Sequence, residues 1–358
     1  MRSTLFSIAA VLAIGFGAIT ATASDAEACA GLIGSNGAVN LGRTTTLAGY
    51  HNGEEHYVTS FEFQGTGGGE FGTLIPLPGV PSNVEKGGAW TLQRLVRETS
   101  PVVLRSAASG AAENAFADKA EVLIEKKIDA LDITVLKGGG QSVATWAQEH
   151  GFRLSPDAPE MLDFYAQRSP IFLAAVFDGD AAIGRGQQAG DGTPVHLTIP
   201  TDNPWVPLRI LGLGKQADDR VEADVYLLTD EKPRLLPGTR KGLTREYSDN
   251  ASSSLLDDLR ADEGMGWVPE ASWLTKLSIN SRAGDLTYDL AVDNDGNERP
   301  SRVAAGLESP KDLPLLEVAN DDGGDVVRNV GILAVLGLVV AGAGVLVIRT
   351  NAARKARR

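Results

Sequence analysis

The chain has 358 residues, 43% of them hydrophobic, with a net charge of −13 and a single cysteine, Cys29. So acidic a surface sets aside nucleic acid and anionic lipid as partners of the folded part. One cysteine permits no internal disulfide, so a body of this size must be held by its apolar core.

At the N-terminus Arg2 precedes an apolar run from Leu5 to Ile19, followed by Ala21-Thr22-Ala23 and Ala26-Glu27-Ala28. A basic start, a short apolar run and an A-x-A site predict a secretory signal peptide, residues 1–28 at most, with cleavage after Ala23 or after Ala28. Cys29 then lies at the start of the exported chain. The charged Glu27 does not suit a lipoprotein signal, so a buried or incidental thiol is expected.

The body, residues 29–296, opens on a hairpin signal. Thr44 to His51 and Glu54 to Phe63 flank Asn52-Gly53, a pair that supplies the positive φ values of a two-residue type I′ turn. That turn sets His51 opposite Glu54, Tyr50 opposite Glu55 and Gly49 opposite His56. Alternation then places Tyr50, Tyr57, Phe61 and Phe63 on one face and His51, Glu54 and His56 on the other. Two imidazoles and a carboxylate at a turn are a candidate metal set, His51, Glu54 and His56, with an open position for water. A polar, solvated strand face is the plainer reading.

Gly65 to Gly69 is a loose connection with no phosphate-binding pattern around it. Phe71 to Pro81 follows, and its prolines predict an edge strand breaking into a rigid turn. Helices are expected over Trp90 to Glu98 and Ala107 to Lys119. Strands are expected at Val122 to Ile124 and Leu131 to Leu136, joined near Asp129-Ala130. Ser142 is placed as the cap of a helix reaching His150, with Gly151 as its stop. Asp157 and Glu160 form a capping box for a helix to Arg168 whose Met161, Leu162 and Tyr165 face the core.

Further strands are predicted at Ile171–Phe177, Val195–Ile199, Trp205–Leu211, Val221–Thr229, Trp273–Ile279 and Leu286–Val292, with a helix from Ser254 to Ala261. In the fourth of these, Glu222, Asp224 and Tyr226 alternate with apolar residues and predict one wet side. Without regular strand–helix alternation a parallel nucleotide-binding fold is not expected. The predicted class is α+β, strand-rich and mainly antiparallel, with a few short helices.

No catalytic signature is present. Gly34-Ser35-Asn36-Gly37 lacks nucleophile-elbow spacing, and the adjacent Asp257 and Asp258 point apart on a helix. Asp293 to Glu298 fails as a calcium loop, because Ala291 and Arg302 fall where ligands are needed. Leu236 to Arg240 departs from a cell-wall sorting motif. No cofactor is implied.

Residues 297–328, rich in Asp, Gly, Pro and Ser, predict a flexible acidic stalk. Residues 329–348, Asn329 to Ile348, carry no charge, and as a helix they span roughly 30 Å, the thickness of a bilayer's hydrocarbon core. Arg349, Arg354, Lys355, Arg357 and Arg358 follow, so the tail, 349–358, is expected inside and the body outside. Gly337 and Ala341 form a small-x-x-x-small pair of the kind that supports helix pairing; the oligomeric state stays open.

Several phrases together resemble the bacterial family called domain of unknown function 2330. They are Ala30 to Gly34, Leu74 to Pro81, Trp146 with His150-Gly151-Phe152, Arg168 to Leu173 and Asn203 to Ile210. The resemblance runs from about Cys29 to Val292 and is greatest to actinobacterial members with a signal peptide and a C-terminal anchor. It implies an exported bacterial protein and brings no activity, ligand or catalytic residue. The expected function is a single-pass envelope protein whose body binds or scaffolds an unidentified envelope or protein partner, with Trp90, Trp205 and Trp267 as candidate contacts. A metal-dependent hydrolase of envelope material and a cation-binding adhesion domain are the alternatives.

Overall fold

The computed structural model describes residues 26–27, 31–34, 37–38, 43–62, 70–99, 120–186, 192–240, 242–293 and 299–310, all within the unit Met1–Pro310. Residues 1–25 of the expected signal peptide, Cys29, the 107–119 helix, the rest of the stalk, the anchor and the tail lie outside the described residues. Among the described residues no helix is long and apolar enough to cross a membrane.

In chain order the strands are β1 (Ala26–Glu27), β2 (Gly31–Gly34), β3 (Gly37–Ala38), β4 (Arg43–His51), β5 (Glu54–Glu62), β6 (Glu70–Leu77), β7 (Asn83–Lys86), β8 (Glu121–Ile128) and β9 (Leu131–Lys137). They continue with β10 (Ile171–Asp178), β11 (Gly192–Pro200), β12 (Trp205–Val206), β13 (Arg220–Thr229), β14 (Arg234–Leu236), β15 (Leu243–Asn250), β16 (Trp273–Arg282) and β17 (Leu290–Asp293). The helices are α1 (Thr91–Thr99), α2 (Gly140–Glu149), α3 (Ala158–Ala166), α4 (Gly179–Gly184) and α5 (Ser253–Ala261).

These strands make an eight-stranded sheet in the order β15, β16, β13, β4, β5, β11, β7 with β1 beside β4, a six-stranded sheet β3, β2, β6, β10, β9, β8, and a three-stranded sheet β12, β17, β14. Pairing is antiparallel except where β4 meets β1 and β13. The α+β, mainly antiparallel class expected from the sequence is the class observed.

The two large sheets pack face to face. Tyr57, Val195, Leu197, Val225 and Leu277 of one meet Ile75, Ile133, Leu173 and Phe177 of the other in a single core. Each outer face is covered by helices. Leu95 of α1 and Leu255 and Leu259 of α5 pack on Leu47, Val58, Tyr226 and Leu274, while Val143, Trp146, Leu162 and Tyr165 of α2 and α3 pack on Leu74, Leu136 and Phe172. The layers therefore run helix, sheet, sheet, helix, so central strands are buried on both sides.

That layering corrects several expectations. The side of β13 predicted to be wet is dry at Tyr226 and Asp224, 0% and 6% exposed, and half-buried at Glu222, because the α1 and α5 layer packs on Tyr226. The strand at Glu70–Leu77 is interior, between β2 and β10. Its Pro76 is tolerated because β2 pairs only as far as Leu74, which leaves one side of the strand without a ladder partner there. The strand predicted over Trp205–Leu211 ends at Val206 and gives way to a 3₁₀ turn over Arg209–Gly212. The Leu286–Val292 strand starts only at Leu290, and β14 and β15 were not anticipated.

Neither expected cap on the second helical layer forms. α2 starts at Gly140, ahead of Ser142, and that glycine packs so closely on α3 that a Cβ would stand 2.5 Å from the Asp163 backbone nitrogen. Asp157 makes no side-chain cap; its carboxylate accepts the Gly214 N–H instead. The Trp90–Glu98 helix, the β8–β9 hairpin and the inward stripe Met161, Leu162, Tyr165 form as expected. The predicted stalk also starts too early, since Ala304 and Ala305 are buried and the Asp289 N–H donates to the Ala305 carbonyl.

Candidate functional site

The end of the β4–β5 hairpin organises the chemistry-bearing residues. Asn52 and Gly53 have φ of 53° and 79°, and the register sets His51 opposite Glu54, Tyr50 opposite Glu55 and Gly49 opposite His56, as turn chemistry predicts. On the other side of β5, β11 places Thr198 opposite His56 and His196 opposite Val58. β7 then places Glu85 opposite His196. Alternation puts His56, His196 and Glu85 on one face, the outer face of the large sheet.

They form a chain. His56 Nδ1 lies 3.0 Å from His196 Nε2, and His196 Nδ1 lies 3.1 Å from Glu85 Oε1. With both rings neutral one proton assignment satisfies both contacts. His196 Nδ1–H donates to the Glu85 carboxylate, and His196 Nε2 accepts from His56 Nδ1–H. Burial pushes His56 down to about 3, helped by the neighbouring His196 and His51. Burial also lowers His196, outweighing the Glu85 carboxylate and the Gly264 carbonyl, which favour its charged form. The chain thus joins the partly exposed Glu85 to a buried, neutral imidazole.

Trp267 closes the top. Its indole stacks on His56 with centroids 4.0 Å apart and planes 2° from parallel. It fits because residue 49 is glycine: a Cβ there would stand 2.2 Å from Trp267 Cη2. The indole Nε1 is buried with no partner among the described residues.

The predicted metal set does not share a common point. His51 turns to Asp230, with Nδ1 and Oδ1 2.5 Å apart, while His56 turns to His196. Glu54 stays across the turn from His51. Among the described residues no group of three or more His, Cys, Asp or Glu side chains is placed to hold a metal ion. Of the three tryptophans proposed as contacts, Trp205 is 3% exposed and Trp267 caps His56, which leaves Trp90, 37% exposed at the start of α1. His196, Glu85, Asp230 and the placement of Trp267 were missed. The available signal was His196 itself, the titratable residue of a strand whose Val195, Leu197 and Ile199 face the core.

A second polar cluster is sealed inside. Arg168 Nη2 and Asp289 Oδ2 are 2.5 Å apart, with side chains 3% and 0% exposed. Asp289 Oδ1 also accepts from the Leu208 and Arg209 N–H groups and from Tyr165 O–H. Arg168 Nη1 donates to the Val303 and Ala304 carbonyls, and its guanidinium lies 4.3 to 4.8 Å from the centroids of Phe164, Tyr165 and Trp205. Burial, reinforced by the Asp289 carboxylate, holds the Tyr165 hydroxyl well above the usual phenol range. The phrases Arg168–Leu173 and Asn203–Ile210 meet here, so they encode a structural tie.

A layered α+β body of two large antiparallel-rich sheets, with a histidine–carboxylate chain on an outer strand face, is the class these observations define. The family model described as an uncharacterized protein conserved in bacteria, DUF2330, matches residues 22–237, and the chain belongs to that family. No curated protein matches it. Similar solved structures include baculovirus P35, at 9% identity over 70% of this chain and 96% of that one with a TM-score of 0.36. A mutated baculovirus P35 after caspase cleavage is similar at 8% identity over 71% of this chain and 99% of that one, with a TM-score of 0.35. At such TM-scores the likeness carries no argument.

Proposed function

We propose that this protein is a membrane-anchored bacterial surface protein whose folded body, outside the membrane, acts as a binding or scaffolding domain. The observation that carries the location is the charge-free run Asn329–Ile348 ahead of a basic terminus, together with the N-terminal leader pattern. A binding role is supported by the way the histidines at the hairpin end are used. His51 is engaged by Asp230 and His56 by His196, so these groups hold strands and a covering indole in place. Among the described residues Trp90, 37% exposed, offers an outward aromatic contact.

Protease treatment of intact cells carrying a C-terminally tagged chain tests the location. Loss of the body with retention of a small tagged membrane fragment is the expected result, and a fully protected chain would refute it. Cross-linking in membranes, compared between wild type and Trp90→Ala, tests the binding role. The expected outcome is one dominant adduct that Trp90→Ala weakens.

A further inference from the structure

Glu55 neighbours His56 on β5 but faces the opposite side of the sheet, and it is only 1% exposed. Its Oε2 accepts the Trp205 N–H at 3.2 Å. Its Oε1 has no hydrogen-bond partner among the described residues. Beside it lies a cavity of about 10 Å³ walled by Ala48, Leu227, Pro204, Val206 and Val292, roughly the volume one water needs.

Among the described residues no cation balances this carboxyl. No Lys, Arg or His lines the cavity, and the titratable neighbour that does, Tyr50, gives its O–H to the Thr201 carbonyl at 2.6 Å. Glu54 and His56, next along β5, face the other side of the sheet, and Asp230 beyond β13 is engaged by His51. An ionised Glu55 would therefore be an uncompensated buried charge with one oxygen already unpaired.

What Glu55 holds is a short element. β12 has two residues, joined to β17 by the pairs Trp205↔Ala291 and Val206↔Leu290. The bond from Trp205 N–H to Glu55 ties this strand to the large sheet, beside the Thr201 N–H bond to the Gly53 carbonyl.

We propose that Glu55 is a proton-controlled latch on the Asn203–Val206 segment: neutral, it lets the junction between the eight-stranded and three-stranded sheets close dry, and on releasing its proton to solvent it draws water onto its buried charge, a hydration that outweighs its strengthened bond from the Trp205 N–H and opens the segment. Burial raises this carboxyl to about 8, against the smaller opposing pull of the Trp205 amide, so the latch opens between neutral and mildly alkaline pH. Opening uncovers the Trp205 ring, otherwise 3% exposed. The inference concerns the body alone and stands whether or not the envelope role proposed above is right.

Hydrogen exchange of the full chain, followed in peptides covering 201–208 in wild type and in Glu55→Gln, tests it. Comparing the two proteins at each pH cancels the intrinsic pH dependence of exchange. The wild-type to variant rate ratio is expected to rise about tenfold from pH 6.5 to pH 9, as ionisation of the latch predicts, while peptides from β13 show no such rise. A ratio that stays constant overturns the proposal. Should Glu55→Gln not fold, the wild type alone decides: protection at 201–208, normalised to β13, must fall across this range, and equal protection overturns it.

Discussion

His56 and His196 stand 3.0 Å apart, Nδ1 to Nε2, under a covering indole, so the pair tolerates one bridging proton and not two imidazolium charges. Their folded-state values lie below the ordinary histidine value of 6.5. In acid the unfolded chain therefore takes up protons before the folded one does. This part of the stability is complete above about pH 6.5 and is lost as pH falls toward 3. His56 alone accounts for about 2 kcal/mol at pH 5.

Glu55 acts with the opposite sign. Its folded value of about 8 exceeds the ordinary 4.5, so it costs stability progressively from pH 4.5 to pH 8. The two effects oppose each other between pH 4.5 and 6.5. Urea unfolding across pH is expected to show His56→Phe, which keeps the stack on Trp267, with a shallower acid limb, and Glu55→Gln with a shallower limb above pH 6.5. Parallel curves for wild type and variants would contradict both assignments.

Gly49 has one job that no larger residue performs. Gly49→Ala sets a Cβ 2.2 Å from Trp267 Cη2, in a stack that cannot shift without leaving His56. A loss of about 2 kcal/mol is expected by overpacking. In a Trp267→Leu background the same change costs less than about 0.5 kcal/mol, a coupling that a double-mutant cycle by urea unfolding reads directly.

Asp289 collects two backbone N–H groups, a phenol and a guanidinium with none of its surface exposed. Asp289→Ala leaves Arg168 buried and unpaired, and is expected to cost on the order of 3–5 kcal/mol. Arg168→Met with Asp289→Asn, which keeps an acceptor for Leu208 and Arg209, is expected to cost less than Asp289→Ala alone. Thermal melting of the three proteins orders them.

At the turn, Gly53 holds φ at 79°. Gly53→Ala is expected to cost about 1 kcal/mol from left-handed strain, visible as a lower urea midpoint with an unchanged slope.

The hairpin shows what is readable from residues alone. Asn52-Gly53 dictates its own backbone, and a two-residue turn leaves one register, so the partners of His51, Tyr50 and Gly49 follow from the turn alone. The stripe Met161, Leu162, Tyr165 and the α+β class were legible for the same reason, since helical and strand periodicity are local properties. The caps proposed at Ser142 and Asp157 failed where tertiary contacts decided instead: Gly140 is drawn against Asp163, and Asp157 is claimed by Gly214.

The site belongs to the second category. The sequence determined that His56 faces away from Tyr57 and that His196 sits in an apolar strand; it carried no term that brings them together across 140 positions. That contact depends on β11 choosing β5, and on α1 and α5 covering the outer face, which turns a strand side read as wet into a second core. Such pairings are selected by how much apolar surface each arrangement buries over the whole molecule. The partnering of the hairpin histidines by Asp230 and by His196 with Glu85 is therefore a property of the packed molecule and not of any local segment.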